Sequence, residues 1–336
     1  MKTEKREKTV ILIIIVLLAF FLLFSCLTGS FDLSVKQIAD IIGGKLSGSI
    51  EQSVFFNLRI PRAVMGLLSG LALGLAGGVY QTIFSNPLAS PDLTGVASGA
   101  SLGAAFSIVL GAGTAFQIMA GSFISGLAAL ALMLLLVRVS KAEKTGAYIL
   151  SGVVISSLAS AGLMILKTMA DPERELAAVE FWTMGSLAAV NSKKVLMCAF
   201  FVIVPMIIIL LFKKQVMILS LGGEKSYQLG LDPSLWRCML LILTTLMVSS
   251  IISVTGVISF AGLLAPHTAA LLLGKRSGNY LFLCALAGGL TVIIADILAR
   301  SLYKYAELPI SIFTILFSLP MLVFLFIKKG KSESYA

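Results

Sequence analysis

Chemistry-bearing residues are scarce in this chain. It holds one histidine, four cysteines and two tryptophans, and only 12% of its 336 residues are charged. His267 stands alone, so no multi-histidine metal site can form, and no carboxylate or cysteine neighbours it in sequence. Cys26, Cys198, Cys238 and Cys284 lie in or beside apolar runs without a C-x-x-C spacing, which makes apolar packing their expected role. A phosphate loop is also missing. Gly330-Lys331-Ser332 ends like one, but Leu325 stands where the earlier glycine is required and no strand precedes it. An intramembrane hydrolase needs a serine or metal constellation, which one histidine cannot supply. The net charge of +10 forms no basic face interleaved with aromatics, so nucleic acid is not an expected partner.

What the chain has in quantity is apolar side chain. Hydrophobic residues make up 58% and the mean hydropathy is +1.02, more than a soluble domain of this length could hide. The expected fold is an all-α polytopic membrane protein with about ten transmembrane helices in one domain over 1–336. Runs of spanning length fall at 10–24, 60–84, 92–110, 115–137, 146–167, 190–212, 236–255, 257–273, 280–300 and 309–327, the third and eighth expected to be short or broken. Leu23-Phe24-Ser25-Cys26 faintly resembles a lipoprotein cleavage box, but the bulky Phe24 and nine later spans predict a retained first helix. In the polar stretch 30–58, Val35, Ile38, Ile41 and Ile42 recur at helical spacing and predict a short amphipathic helix outside the membrane. With the N-terminus inside, sixteen of the 26 Lys and Arg residues fall on inner segments, which predicts cytoplasmic termini, with tails at 1–9 and 328–336. Few ionisable groups lie in the spans, which counts against the alternative of an ion-coupled secondary transporter.

The most distinctive stretch is 59–103. Arg59-Ile60-Pro61-Arg62 leads into a run with glycines at 66, 70, 74 and 78. Asn86-Pro87 and Ser90-Pro91 break it, and a second run carries glycines at 95, 99 and 103. Glycines four apart share a helix face, and in lipid such a face lets two backbones approach closely. Two helices with small-residue seams, joined by a polar hinge, are expected.

These residues resemble the permease family of ABC importers for iron-siderophores, haem and cobalamin. Its R-x-P-R is matched by Arg59 and Arg62. Its long signature after the second helix is matched by Gly77, Gln81, Asn86-Pro87-Leu88-Ala89, Pro91, Gly95-Val96 and Gly99-Ala100. Phe181-Trp182-Thr183-Met184-Gly185-Ser186 resembles F-W-x-M-G-S, Gly256 to Pro266-His267 resembles G-x-I-x-F-x-G-L-x-x-P-H, and Glu307-Leu308-Pro309 resembles E-L-P. Ala270 and Ser226 stand where the family commonly has arginine and alanine, and Ile310-Ser311 departs from the glycine of E-L-P-x-G.

The resemblance implies a type II importer permease in the bacterial plasma membrane. It would work with a second permease copy, two ATPase subunits and an extracytoplasmic binding protein. The pore would lie at the dimer interface, lined by the fifth and tenth spans, and the cargo would be an iron chelate, haem, cobalamin or a metal oxyanion. No cofactor is expected in this chain, ATP and magnesium belonging to the ATPase. Residues 213–235 would couple to that ATPase through Leu221, Gly222, Ser226, Leu229 and Gly230. Arg59, Arg62 and Arg300 would hold glutamates of the binding protein, with Asp296 pairing Arg300 one helical turn away. Thr145 and Gly146 would lie at the cytoplasmic gate.

Overall fold

A backbone in lipid has to satisfy its own N–H and C=O groups, so the apolar runs become helices. The computed structural model describes residues 2–29, 31, 33–140, 145–274, 277–303 and 306–333, and among them there is no strand. In chain order the helices are α1 (Lys2–Leu27), α2 (Val35–Ile42), α3 (Ile50–Val54), α4 (Ile60–Ile83), α5 (Val96–Val109), α6 (Ala115–Val139), α7 (Thr145–Met169) and α8 (Glu175–Thr183). They continue as α9 (Ser192–Leu211), α10 (Lys213–Leu219), α11 (Gly223–Gln228), α12 (Pro233–Thr255), α13 (Ala261–Leu273), α14 (Tyr280–Ser301) and α15 (Ile310–Glu333). The side chain of Thr145, the Lys275-Arg276 pair and residues 334–336 of the tail lie outside the described residues. We call the end bearing α2, α3 and α8 the outer end, and the end bearing α10 and α11 the inner end.

Seven helices are long and apolar enough to cross a membrane, and α5, α13 and Ile310–Phe324 of α15 are shorter apolar helices. Seven of the ten expected runs are thus helices of spanning length, and the third, eighth and tenth form shorter apolar helices. The second run starts earlier than its sequence suggests. One helical rod runs from Ile50 to Ile83 through a π-helical turn at Phe55–Arg59, where Ile60 N–H reaches back to the Phe55 carbonyl. Pro61 lacks an N–H and crowds the carbonyl four residues back, and the wide turn before it gives its ring room. Ser34 and Gln37 form a capping box at the start of α2. Of the four α2 positions, Ile38 and Ile41 pack inward, whereas Val35 and Ile42 face outward.

Burial separates the spans. In α4, α14 and α12 the most apolar stretch is 83%, 72% and 67% buried, against 17% in α1 and 22% in α9. The glycines explain the difference. A methyl on Gly70 would come within 2.3 Å of the Gly288 carbonyl oxygen, and one on Gly74 within 2.2 Å of that of Cys284, so α4 and α14 touch backbone to backbone. The second seam does the same for α5 and α6, where a methyl on Gly103 would lie 2.2 Å from the Gly121 oxygen.

Candidate functional site

At the outer end α1, α4 and α14 bring the three arginines together. Arg62 donates through Nε and Nη2 to Asp296 Oδ1, at 3.0 and 2.8 Å, and through Nη1 and Nη2 to the two oxygens of Glu307, at 2.7 and 2.8 Å. Arg300 takes the other oxygen of Asp296 at 3.2 Å, the helical-turn pair read from the sequence, and donates to Ser25 and to the Thr28 carbonyl. Arg59 lies over Gly29 and donates to the Phe31 carbonyl at 2.8 Å. Two guanidiniums and two carboxylates thus neutralise one another in a site where Arg59 and Arg300 are each only 6% exposed. In the structure the arginines of R-x-P-R and A-D-x-x-A-R make their hydrogen bonds within the chain. The arginines point inward and tie the ends of α1, α4 and α14 to one another and to Glu307. Buried guanidiniums find partners or are strongly destabilising, and here the partners are supplied from within the chain.

At the inner end the coupling segment forms two short helices, as its glycines suggest. Gly222 (φ +95°) and Gly230 (φ +80°) occupy backbone conformations that a side chain resists. Ser226 is fully buried between them. Its hydroxyl donates to the Gly222 and Ile218 carbonyls at 2.7 and 3.1 Å, so serine serves where alanine is common. Asp232 caps α12 by accepting from the Ser234 and Leu235 amides. Leu221, Tyr227, Leu229 and Leu235 are all more than half exposed, an apolar surface on a rigid projection.

The signature residues hold the hinge between the two seams. Asn86 Oδ1 accepts from the Leu88 amide, and Pro91 opens a 3-10 turn over Pro91–Thr94. Gly95 has φ +82° and lies against Ile155 of α7, and a methyl on Gly99 would come within 2.6 Å of Ala129 of α6. Gln81 is buried, and neither its amide oxygen nor its nitrogen has a hydrogen-bond partner, which costs about 1–3 kcal/mol. Pro266 and His267 are buried inside α13. Gly146 begins α7 in open space at the inner end.

The sequence matches the FecCD transport family over residues 16–328. The chain belongs to that family. Among FecCD and related permeases, the molybdate import permease MolB of Haemophilus influenzae is 31% identical over 301 residues, 87% of this chain and 88% of that one. MJ0087 of Methanocaldococcus jannaschii, described as an ABC transporter permease protein, is 33% identical over 326 residues, 92% and 91% of the two chains. A solved inward-facing transporter described as of metal-chelate type superposes with a TM-score of 0.86 at 30% identity, covering 96% of this chain and 99% of that one.

Within the FecCD frame two groups escaped the sequence reading. Glu307 was visible only as part of E-L-P, yet it is the second carboxylate on Arg62. R-x-P-R and two motifs more than 230 residues further on are therefore one site, and a surplus of outer-end arginines beside Asp296 is the signal that asks for such a partner. Asp92, hidden in the hinge, is exposed in a cavity that runs into the bundle.

Proposed function

We propose that this chain is the permease subunit of an ATP-driven ABC importer for a metal chelate, an iron–siderophore complex first among the candidates, in the bacterial plasma membrane. Likeness over nearly the whole chain to the metal-chelate transporter carries this reading. Both termini and the α10–α11 projection face the cytoplasm. Two copies pair, and α7 and α15 line a pore between them. Two ATPase subunits seat on the exposed leucines of the projection. A closing ATPase dimer pushes it, and the rigid α10–α11 turn converts that push into helix tilt. Docking of a binding protein through Arg59, Arg62 and Arg300 requires those guanidiniums to exchange an internal partner for an external glutamate.

Uptake of labelled ferric siderophores, haem, cobalamin and molybdate in a strain lacking this protein tests the reading. Loss of one cargo, restored by the intact gene and persisting when the proton gradient is collapsed but ATP remains, is the expected result. Uptake that stops with the gradient while ATP is present would instead favour an ion-coupled carrier. Rescue by Arg59→Glu with Arg62→Glu removes the docking role.

A further inference from the structure

A cavity of about 280 Å³ opens between α5, α7 and the 256–260 loop, and its wall sets Asp92, Ser98, Ser101, Ser160, Lys167 and Ser259 among the apolar Ala97, Leu163 and Val257. Its depth follows from packing. Pro91 lies against Gly262, which also meets the carbonyl of Leu73, near the middle of α4. Asp92 therefore sits about halfway through the bundle, whereas Lys167 lies near the outer end of α7. Lys167 is held by Glu180 of α8 at 2.7 Å, so its charge is already balanced. The Asp92 carboxylate lines the cavity, with the Phe260 amide near enough to favour its ionised form. Phe260 is one of two non-glycine residues with positive φ among those described, at +64°. Such backbone persists where the surroundings enforce it, and here it stands next to Ser259 of the cavity wall. An aspartate before a helix often only complements the helix dipole. This one is turned to a different element and to an opening lined with hydroxyls.

We propose that Asp92 sets the charge selectivity of the passage. The inference rests on the importer reading and narrows its cargo. A single carboxylate in a low-dielectric wall attracts cations and repels anions over several ångströms, and hydroxyl groups replace part of a cargo's hydration. The cavity thus accepts cationic or neutral chelates rich in hydrogen-bond donors and rejects oxyanions.

The field can be read without knowing the cargo. With the four native cysteines replaced, Ser98→Cys is treated in membrane vesicles with cationic and anionic methanethiosulfonate reagents of matched size, each normalised to its rate with a free thiol. The cationic reagent reacts about tenfold faster, and Asp92→Asn abolishes most of that preference. Asp92→Glu preserves it, which guards against a fold defect in the asparagine variant, and Ser160→Cys repeats the measurement from α7. An unchanged ratio in Asp92→Asn, a faster anionic reagent, or failure of either thiol to react overturns the proposal. The same vesicles, with the copurified ATPase, are then offered a cationic trishydroxamate–iron(III) chelate and molybdate. Absence of ATP-dependent uptake of any probe removes the importer reading, whereas uptake of molybdate in preference to the chelate removes only the charge selectivity.

Discussion

The two ends of the molecule carry equally strong family motifs and use them in opposite ways. At the outer end Arg59, Arg62 and Arg300 are folded inward, and the chain's own Asp296 and Glu307 neutralise two of them. At the inner end Leu221, Tyr227 and Leu229 stand out from the surface, while Ser226 beneath them is sealed. Charge is folded inside at one end, and apolar side chain stands in the open at the other. A motif marks where a family has built something, and the surrounding atoms decide whether that thing is a fastening or a contact surface.

Breaking the outer fastening has the largest expected effect. Asp296→Ala leaves two buried guanidiniums short of a counter-ion and lowers stability by about 3–5 kcal/mol, read as a fall in the unfolding midpoint in detergent. A wild-type midpoint would mean that the outer end is held by something else. Ser226→Leu is next. It overfills a sealed site and costs about 1–3 kcal/mol, with new protease cleavage confined to 213–235. Cleavage spread over the whole chain would show that the projection is not an independent unit. Leu221→Glu with Leu229→Glu has the smallest effect on stability, within about 0.5 kcal/mol, because both side chains are already in the open. The same pair abolishes copurification of the ATPase, and retention of the ATPase would turn the inner end into mere surface.

The spans were legible because a membrane helix needs only length and apolar content, and the glycine seams because a four-residue period is local. Which spans form the centre was not legible from hydropathy. Lipid and protein interior favour the same side chains, so α1 at 17% burial and α4 at 83% are both simply apolar. The glycines of α4 carried that information. The ion site was illegible for a different reason. Arg62 finds Asp296 and Glu307 across 234 and 245 residues, and no local pattern encodes such a meeting. Asp92 hid in a hinge whose neighbouring prolines and glycines account for themselves by turn chemistry alone.

The unbroken rod from Ile50 to Ile83 has a mechanical corollary. Thirty-four residues at about 1.5 Å each give a length near 50 Å, against a hydrocarbon layer of about 30 Å. Such a mast stands well clear of the bilayer on one side and is anchored on the other along the glycine contact with α14. A sideways load on its outer turns, those of α3, would pass through the π-helical turn and reach the glycine contact with α14 without crossing a loop.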